Sequence, residues 1–191
     1  MLKNKLLQSL SASKVESVAD AIDFDGTNDY QSRGSDLVGN ADGKTFTFSA
    51  WVWMNSSASG TIYSAGDSNF EIDVTPSFLL ISAAGALVAT VPLLQTDVDM
   101  RTWYHVLISM DLTDTSKRSI YINDIAQSVT WTTYSNSNID FTRTTHSIGA
   151  YSTGSQAWKG RLAHVFLAYE YIDLSLESNR RIFITADRKP A

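Results

Sequence analysis

A chain of 191 residues, 43% hydrophobic and 11% aromatic, can bury one sizeable core, and an all-β domain of this length is ordinarily a single unit. Fifteen basic against 20 acidic residues, a net charge of -5, exclude a broad phosphate-neutralising surface, because nucleic-acid binding rests on clustered Lys and Arg. The absence of cysteine excludes disulfides, thiolate metal ligands and thiol nucleophiles.

Residues 1–20 carry Lys3, Lys5 and an Ala19-Asp20-Ala21 triplet like a secretion signal, but Gln8-Ser9 follows Leu6-Leu7 at once. An h-region needs roughly 7–15 apolar residues, and no later run reaches the roughly 18 that span a bilayer. The expectation is a soluble protein made in a cytoplasm, without membrane insertion. Leu2, Leu6, Leu7 and Leu10 recur at helical spacing, which reads equally as a frayed terminus or as an amphipathic arm that anchors the protein to a partner subunit.

Strand patterns begin at Ala21. Ile22 and Phe24 lead into the Asp25-Gly26 turn, with Tyr30 in a return strand. Phe46, Phe48, Ala50, Val52 and Met54 alternate with Thr47, Ser49, Trp51 and Trp53, so one face is apolar and the other is half-buried or a ligand platform. Further strands are expected at 61–65, 70–74, 78–83, 87–91, 125–131, 144–149 and 161–169, bounded by Gly- and Pro-bearing turns. Between them Trp103–Asp111 and Ser119–Ile122 show period-2 alternation, and Asn123-Asp124 tolerates the positive φ of a tight hairpin. Ser175 is positioned to cap a short helix running to about Phe183.

Six segments in order carry a resemblance: Ala21–Tyr30, Phe46–Val52, Trp103–Val106 with Ile120–Asp124, Ile148–Ala150, Trp158–Val165, and Leu174-Ser175 before the helix. Together they resemble the laminin G-like branch of the concanavalin A-like lectin/glucanase jelly rolls over about residues 21–185. The resemblance implies two curved antiparallel sheets and a concave face that in relatives binds glycans or protein partners, but no activity by itself. Where many relatives carry an acid, this chain has Ala163-His164. The ending, Leu176–Pro190, is similar to the tails of laminin G-like modules in bacteriophage structural proteins.

Candidate chemistry is sparse. Glu71-Ile72-Asp73 begins the Glu-x-Asp-x-(x)-Glu strand motif of jelly-roll glycanases, but Val74, Thr75 and Pro76 follow and the second Glu is missing. Retaining hydrolysis needs two carboxyl groups about 5–5.5 Å apart, so these read as surface carboxylates. His105, His146 and His164 lack metal-ligand spacing; His105 and His164 are expected half-buried with both nitrogens satisfied. Calcium is the one metal the resemblance brings in. Its weak candidates are the loop acids Asp25, Asp29, Asp97 and Asp99, which serve turns without a metal just as well; no cofactor is expected. Sugar recognition needs aromatic faces beside amides and hydroxyls, supplied by Trp131, Tyr134, Asn136 and Asn138 in one expected loop and by Tyr151 in a second, Tyr151–Gln156. Trp51, Trp53, Trp103 and Trp158 read as packing residues.

The expectation is therefore an all-β, two-sheet antiparallel jelly-roll sandwich over 21–191, with an N-terminal arm at 1–20 and a short C-terminal helix. The expected function is a non-catalytic binding or structural module, a bacteriophage virion component in capsid decoration or in the tail or fibre, with adhesion to host-surface glycans. Its partners would be other virion proteins or copies of itself, and cell-surface glycans. The alternatives are a soluble, extracellular glycan-binding lectin module and a divergent glycan hydrolase or lyase.

Overall fold

The computed structural model describes residues 20–34, 41–55, 59–66, 69–93, 101–133 and 135–191. The strands are β1 (Ile22–Asp25), β2 (Gln31–Arg33), β3 (Thr45–Met54), β4 (Gly60–Ala65), β5 (Phe70–Val74), β6 (Phe78–Ala83) and β7 (Ala86–Pro92). They continue with β8 (Trp103–Asp111), β9 (Arg118–Ile122), β10 (Ile125–Ala126), β11 (Thr130–Trp131), β12 (His146–Ile148) and β13 (Lys159–Ala168), and a one-turn helix α1 (Glu177–Arg180) follows. Two antiparallel sheets result, one of six strands in the order β1-β13-β3-β8-β9-β10 and one of seven in the order β11-β7-β6-β5-β4-β12-β2.

The β8-β9-β10 meander is the part most directly written in the sequence. Val106 pairs with Ile122 and Met110 with Arg118, and Asn123 and Asp124 both take left-handed backbone, φ +51° and +64°. Positive φ at both central residues is the turn whose twist matches that of the flanking strands. Alternation sends Phe46, Phe48, Ala50, Val52 and Met54 of β3 and Tyr104, Val106, Ile108 and Met110 of β8 into the space between the sheets. There they meet Phe70, Ile72 and Val74 of β5 and Leu79, Ile81 and Ala83 of β6. Phe46 packs edge-to-face on Phe70 with centroids 4.6 Å apart, a geometry that aromatic quadrupoles favour.

Two local expectations need correction. Residues 22–33 do not form a hairpin: β1 pairs with β13 and β2 with β12, so the Asp25–Tyr30 turn carries the chain from one sheet to the other. The expected strand 125–131 likewise divides into β10 on β9 and β11 on β7. In both cases alternation reads the same whichever sheet receives the strand.

The second face of the six-stranded sheet is closed by the C-terminal segment. Thr45 Oγ1 donates to the Tyr169 carbonyl at 2.7 Å and Thr47 Oγ1 to that of Glu170 at 2.8 Å. Ile172 N–H donates to Ser109 Oγ at 2.9 Å. Because the Thr47 proton is committed to a carbonyl, the 2.9 Å contact between Ser109 and Thr47 has Ser109 donating. Trp51 packs with Ala163 and Ile184 beneath this roof, and Leu107, Ser109 and His105 are fully buried.

The roof is tied down at the β9-β10 turn. Asp124 accepts from Arg180 Nε at 2.6 Å and lies 2.8 Å from Arg181 Nη1, while the Arg180 guanidinium lies 4.8 Å from the Tyr121 ring centroid. Burial alone would raise the Asp124 pKa, but the two arginines outweigh it and hold the carboxyl below its usual range. Ser175 does not cap the helix: its N–H and hydroxyl both donate to Asp173 Oδ1, and α1 starts after Leu176 without a side-chain cap.

Candidate functional site

With one sheet face roofed, a concavity is left open at the side of the sandwich where β2 and β13 lie. β1 is short and pairs only with residues 159–162 of β13. Beyond it a bulge between Ala163 and Phe166 shifts the register on β3, with His164 at φ +50°; such bulges bend and twist a strand. Among the described strands none pairs with residues 165–168 on the side opposite β3, so the sheets gape there. The opening is a cleft of about 560 Å³ lined by β2, β12, Tyr63 of β4, Val165 and Leu167 of β13, and Tyr169.

The side chains follow from register. His146 pairs with Arg33 and with Ala65, and Ile148 with Gln31 and Tyr63, so Gln31 and Arg33 share the inward face of β2 with His146 and Ile148. Gly149 ends β12 at φ +87°, and a Cβ there would strike the Phe24 ring, so only glycine lets the chain leave β12 over that ring. His146 Nε2 lies 3.1 Å from the Phe141 carbonyl and Nδ1 lies 2.9 Å from Tyr63 Oη. A carbonyl can only accept, so Nε2 carries a proton; in the neutral ring Nδ1 then accepts from Tyr63. Burial pushes the Tyr63 hydroxyl pKa up. Both groups are thereby engaged within the protein and present mainly ring surface. The floor is apolar, formed by Ile148, Val165, Leu167 and Tyr169, and the rim is polar, with Gln31 and Arg33 exposed.

The residues weighed for sugar recognition fall in separate places. Trp131, 39% exposed, is on β11 at one edge of the seven-stranded sheet, beside a small groove of about 190 Å³ shared with Arg118, Tyr121 and Gln127. The Arg118 guanidinium lies 5.2 Å from its ring centroid. Asn136 accepts from Lys44 at 2.9 Å, Asn138 is exposed, and Tyr134 is outside the described residues. Tyr151, in the second candidate loop, is in the turn after β12, five strands away from β11. The anchoring candidates Leu2, Leu6, Leu7 and Leu10 and the acids Asp97 and Asp99 are also outside the described residues.

Asp25 Oδ1 accepts the N–H groups of Thr27 and Asn28, and Asp29 Oδ2 accepts that of Asp25. Backbone N–H bonds to its carboxyl, that from Thr27 foremost, hold Asp25 below its usual pKa, and both acids serve the sheet-to-sheet turn. Among the described residues no three His, Cys, Asp or Glu side chains gather as a metal site.

Glu71 and Asp73 are on the outer face of the seven-stranded sheet, since Phe70, Ile72 and Val74 take the core side. Asp73 accepts from Thr61 Oγ1 at 2.6 Å, and burial, aided by the Glu71 charge and opposed by the Thr61 bond, pushes its pKa up to about 6. His105 is fully buried rather than half-buried, with Nε2 2.8 Å from Ser49 Oγ. Its Nδ1 has no hydrogen-bond partner among the described residues, and burial pushes its pKa down to about 4. His164 is exposed on the bulge. Trp51 and Trp158 are buried, Trp103 packs against the Trp51 cluster, and Trp53 lies under Arg161 at 4.9 Å.

The cleft residues Gln31, Arg33, Tyr63 and Tyr169 escaped the sequence reading, and His146 entered it only as a histidine without metal-ligand spacing. Their only signal is the Gln-Ser-Arg alternation after a turn, and it gives no hint of which strand β2 would join.

A family model described as the Concanavalin A-like lectin/glucanases superfamily matches residues 25–169. The chain belongs to this superfamily. Among solved structures it is similar to a Bacteroides ovatus protein assigned to carbohydrate binding, with TM-score 0.60 and 18% identity over 85% of this chain and 46% of that one. It is likewise similar to the heptameric SAP-like pentraxin of Limulus polyphemus, with TM-score 0.60 and 16% identity over 81% of this chain and 77% of that one. The chain thus spans under half of the first protein and about three quarters of the second; these are likenesses of fold. No curated protein matches the chain. Residues 170–191, the roof, fall beyond the family match.

Proposed function

We propose that this lectin-like domain is a non-catalytic binding module that holds a glycan in the cleft between β2, β12 and β13. The observation that carries the reading is the lining itself: aromatic and aliphatic floor, amide and guanidinium rim, and no carboxylate among the described residues that line it. Sugars offer C–H faces to aromatic rings and hydroxyls to planar polar groups, whereas cleaving a glycosidic bond requires acid and base carboxyls beside it. Glu71 and Asp73 lie on the other face of the sheet, which speaks against the hydrolase or lyase alternative. The cleft volume is within the roughly 300–1,000 Å³ of ligand sites. A glycan array with the full chain is expected to show saturable binding that Gln31→Trp, an exposed rim change directed into the cleft, abolishes. An array without binders would overturn the reading.

A second location has its own observation, the exposed Trp131 beside Tyr121 and Gln127. If that groove is the site, Trp131→Ala removes binding and Gln31→Trp does not. The setting proposed with this activity is a bacteriophage particle, resting on the character of residues 176–190. Absence of the protein from purified particles would remove that setting and leave the binding reading intact.

A further inference from the structure

Resting on the glycan reading of the cleft, we infer that its ligand is an acidic sugar, one bearing a carboxylate or sulfate, and that Arg33 is the residue that selects it. The chain has more acids than bases, 20 against 15, and several of its cations among the described residues are held in ion pairs. Lys117 pairs with Asp111 and Asp114, Arg143 with Asp140, Arg161 with Asp23, Arg180 with Asp124, and Arg181 with Asp124 and Glu177. Arg33 is in no ion pair with a carboxylate among the described residues, and it is the one Lys or Arg among the residues that line the cleft, on the inward face of β2 at its rim.

Several of the other polar groups there already spend their protons within the protein. His146 donates through Nε2 to Phe141 O, and in the neutral ring Tyr63 donates to Nδ1, so neither has a free proton to direct at a ligand. Ser147 Oγ donates to the Ala150 carbonyl at 2.7 Å. Inward at the rim stand the Gln31 amide and the Arg33 guanidinium, two residues apart on one strand face and so roughly 7 Å apart along it. A guanidinium is the most weakly hydrated of the common cations and matches carboxylate or sulfate through paired N–H donors. With Ile148, Val165, Leu167 and Tyr169 beneath, the arrangement suits a ring whose apolar face rests on the floor and whose anionic substituent meets Arg33 at the mouth. A neutral sugar would leave the guanidinium facing bound ligand without a counter-charge.

The test is calorimetric titration of the full chain, at low and high salt, with cellotetraose, tetragalacturonate, a heparin-derived tetrasaccharide and hexaglutamate. One or both acidic sugars are expected to bind at least tenfold more tightly than cellotetraose, with the margin shrinking as salt rises. Arg33→Gln is expected to bring the acidic sugars down to the neutral level with an unchanged unfolding midpoint, and Arg33→Lys to restore part of the margin. Equal binding of neutral and acidic sugars, or a margin unmoved in Arg33→Gln, overturns the inference while leaving the cleft a glycan site. Hexaglutamate binding as tightly as the sugars overturns the sugar class. No binding by any of the three sugars overturns the inference and the glycan reading together.

Discussion

Asp73 and His105 are displaced from their ordinary pKa values by the same cause, burial, and pull the stability of the domain in opposite directions with pH. Asp73 has its pKa raised to about 6, so the folded state holds a proton that the unfolded chain has lost, and stability falls as pH climbs from about 4 to about 6. His105 has its pKa lowered to about 4, so its contribution is fully present above the unfolded value near 6.5 and is lost as pH falls toward 4. That loss is on the order of 3 kcal/mol. Asp73→Asn keeps an acceptor for the Thr61 hydroxyl and removes the charge. Urea unfolding is expected to show the variant about 1–3 kcal/mol more stable than the parent at pH 7, with the two converging near pH 4. A constant difference across that range would contradict the assignment. Neither displacement could be read from the sequence: Glu71-Ile72-Asp73 looks like a solvated strand face, and only the tertiary arrangement buries it.

Among the elements, the β9-β10 turn carries two tasks. Its positive φ angles at Asn123 and Asp124 were legible from residue type, because Asn and Asp tolerate left-handed backbone. Its second task was not, since the partners of Asp124 come from residues 56 and 57 positions later. Asn123 also accepts the His105 N–H at 2.9 Å through Oδ1, joining turn and sheet. Asp124→Asn keeps the turn and removes the charge that holds Arg180 and Arg181. The expected result is a destabilisation of about 1–3 kcal/mol, with hydrogen exchange quickened in residues 170–184 and the core of β5 and β6 unchanged. Uniform quickening throughout would show that the roof is not a separate unit.

For the whole molecule, the six-stranded sheet has two buried faces because the C-terminal segment lies along the second one. Thr47, Ser49, Trp51, His105, Leu107 and Ser109 are all buried there, although the alternation of β3 and β8 reads as a half-solvated sheet. A chain ending at Tyr169, the last residue of the family match, would uncover Trp51, Leu107 and the orphaned His105 nitrogen together. It is expected to bind the dye ANS strongly and to lose its cooperative unfolding transition, whereas retention of the full-length midpoint would contradict a structural role for the roof. The cleft is also a property of the whole. Its walls come from β2, β4, β12 and β13, and it exists because β1 is too short to close the gap beyond the β13 bulge.

Alternation, turn chemistry and the succession of short apolar strands determined by themselves that this chain is an antiparallel all-β domain of the sandwich or jelly-roll kind, because a period of two with one buried face demands a second layer to cover it, and the family resemblance implied its two sheets. They located the β8-β9-β10 meander and the limits of β5 and β6. Only the tertiary structure decided which sheet each short strand joins, that the tail roofs one face, and that Arg33, Gln31 and Tyr169 meet at one opening. The physical reason is that strand patterning encodes which side of a residue is buried, while the partner that buries it is set by long-range register and by the relative lengths of strands far apart in the chain.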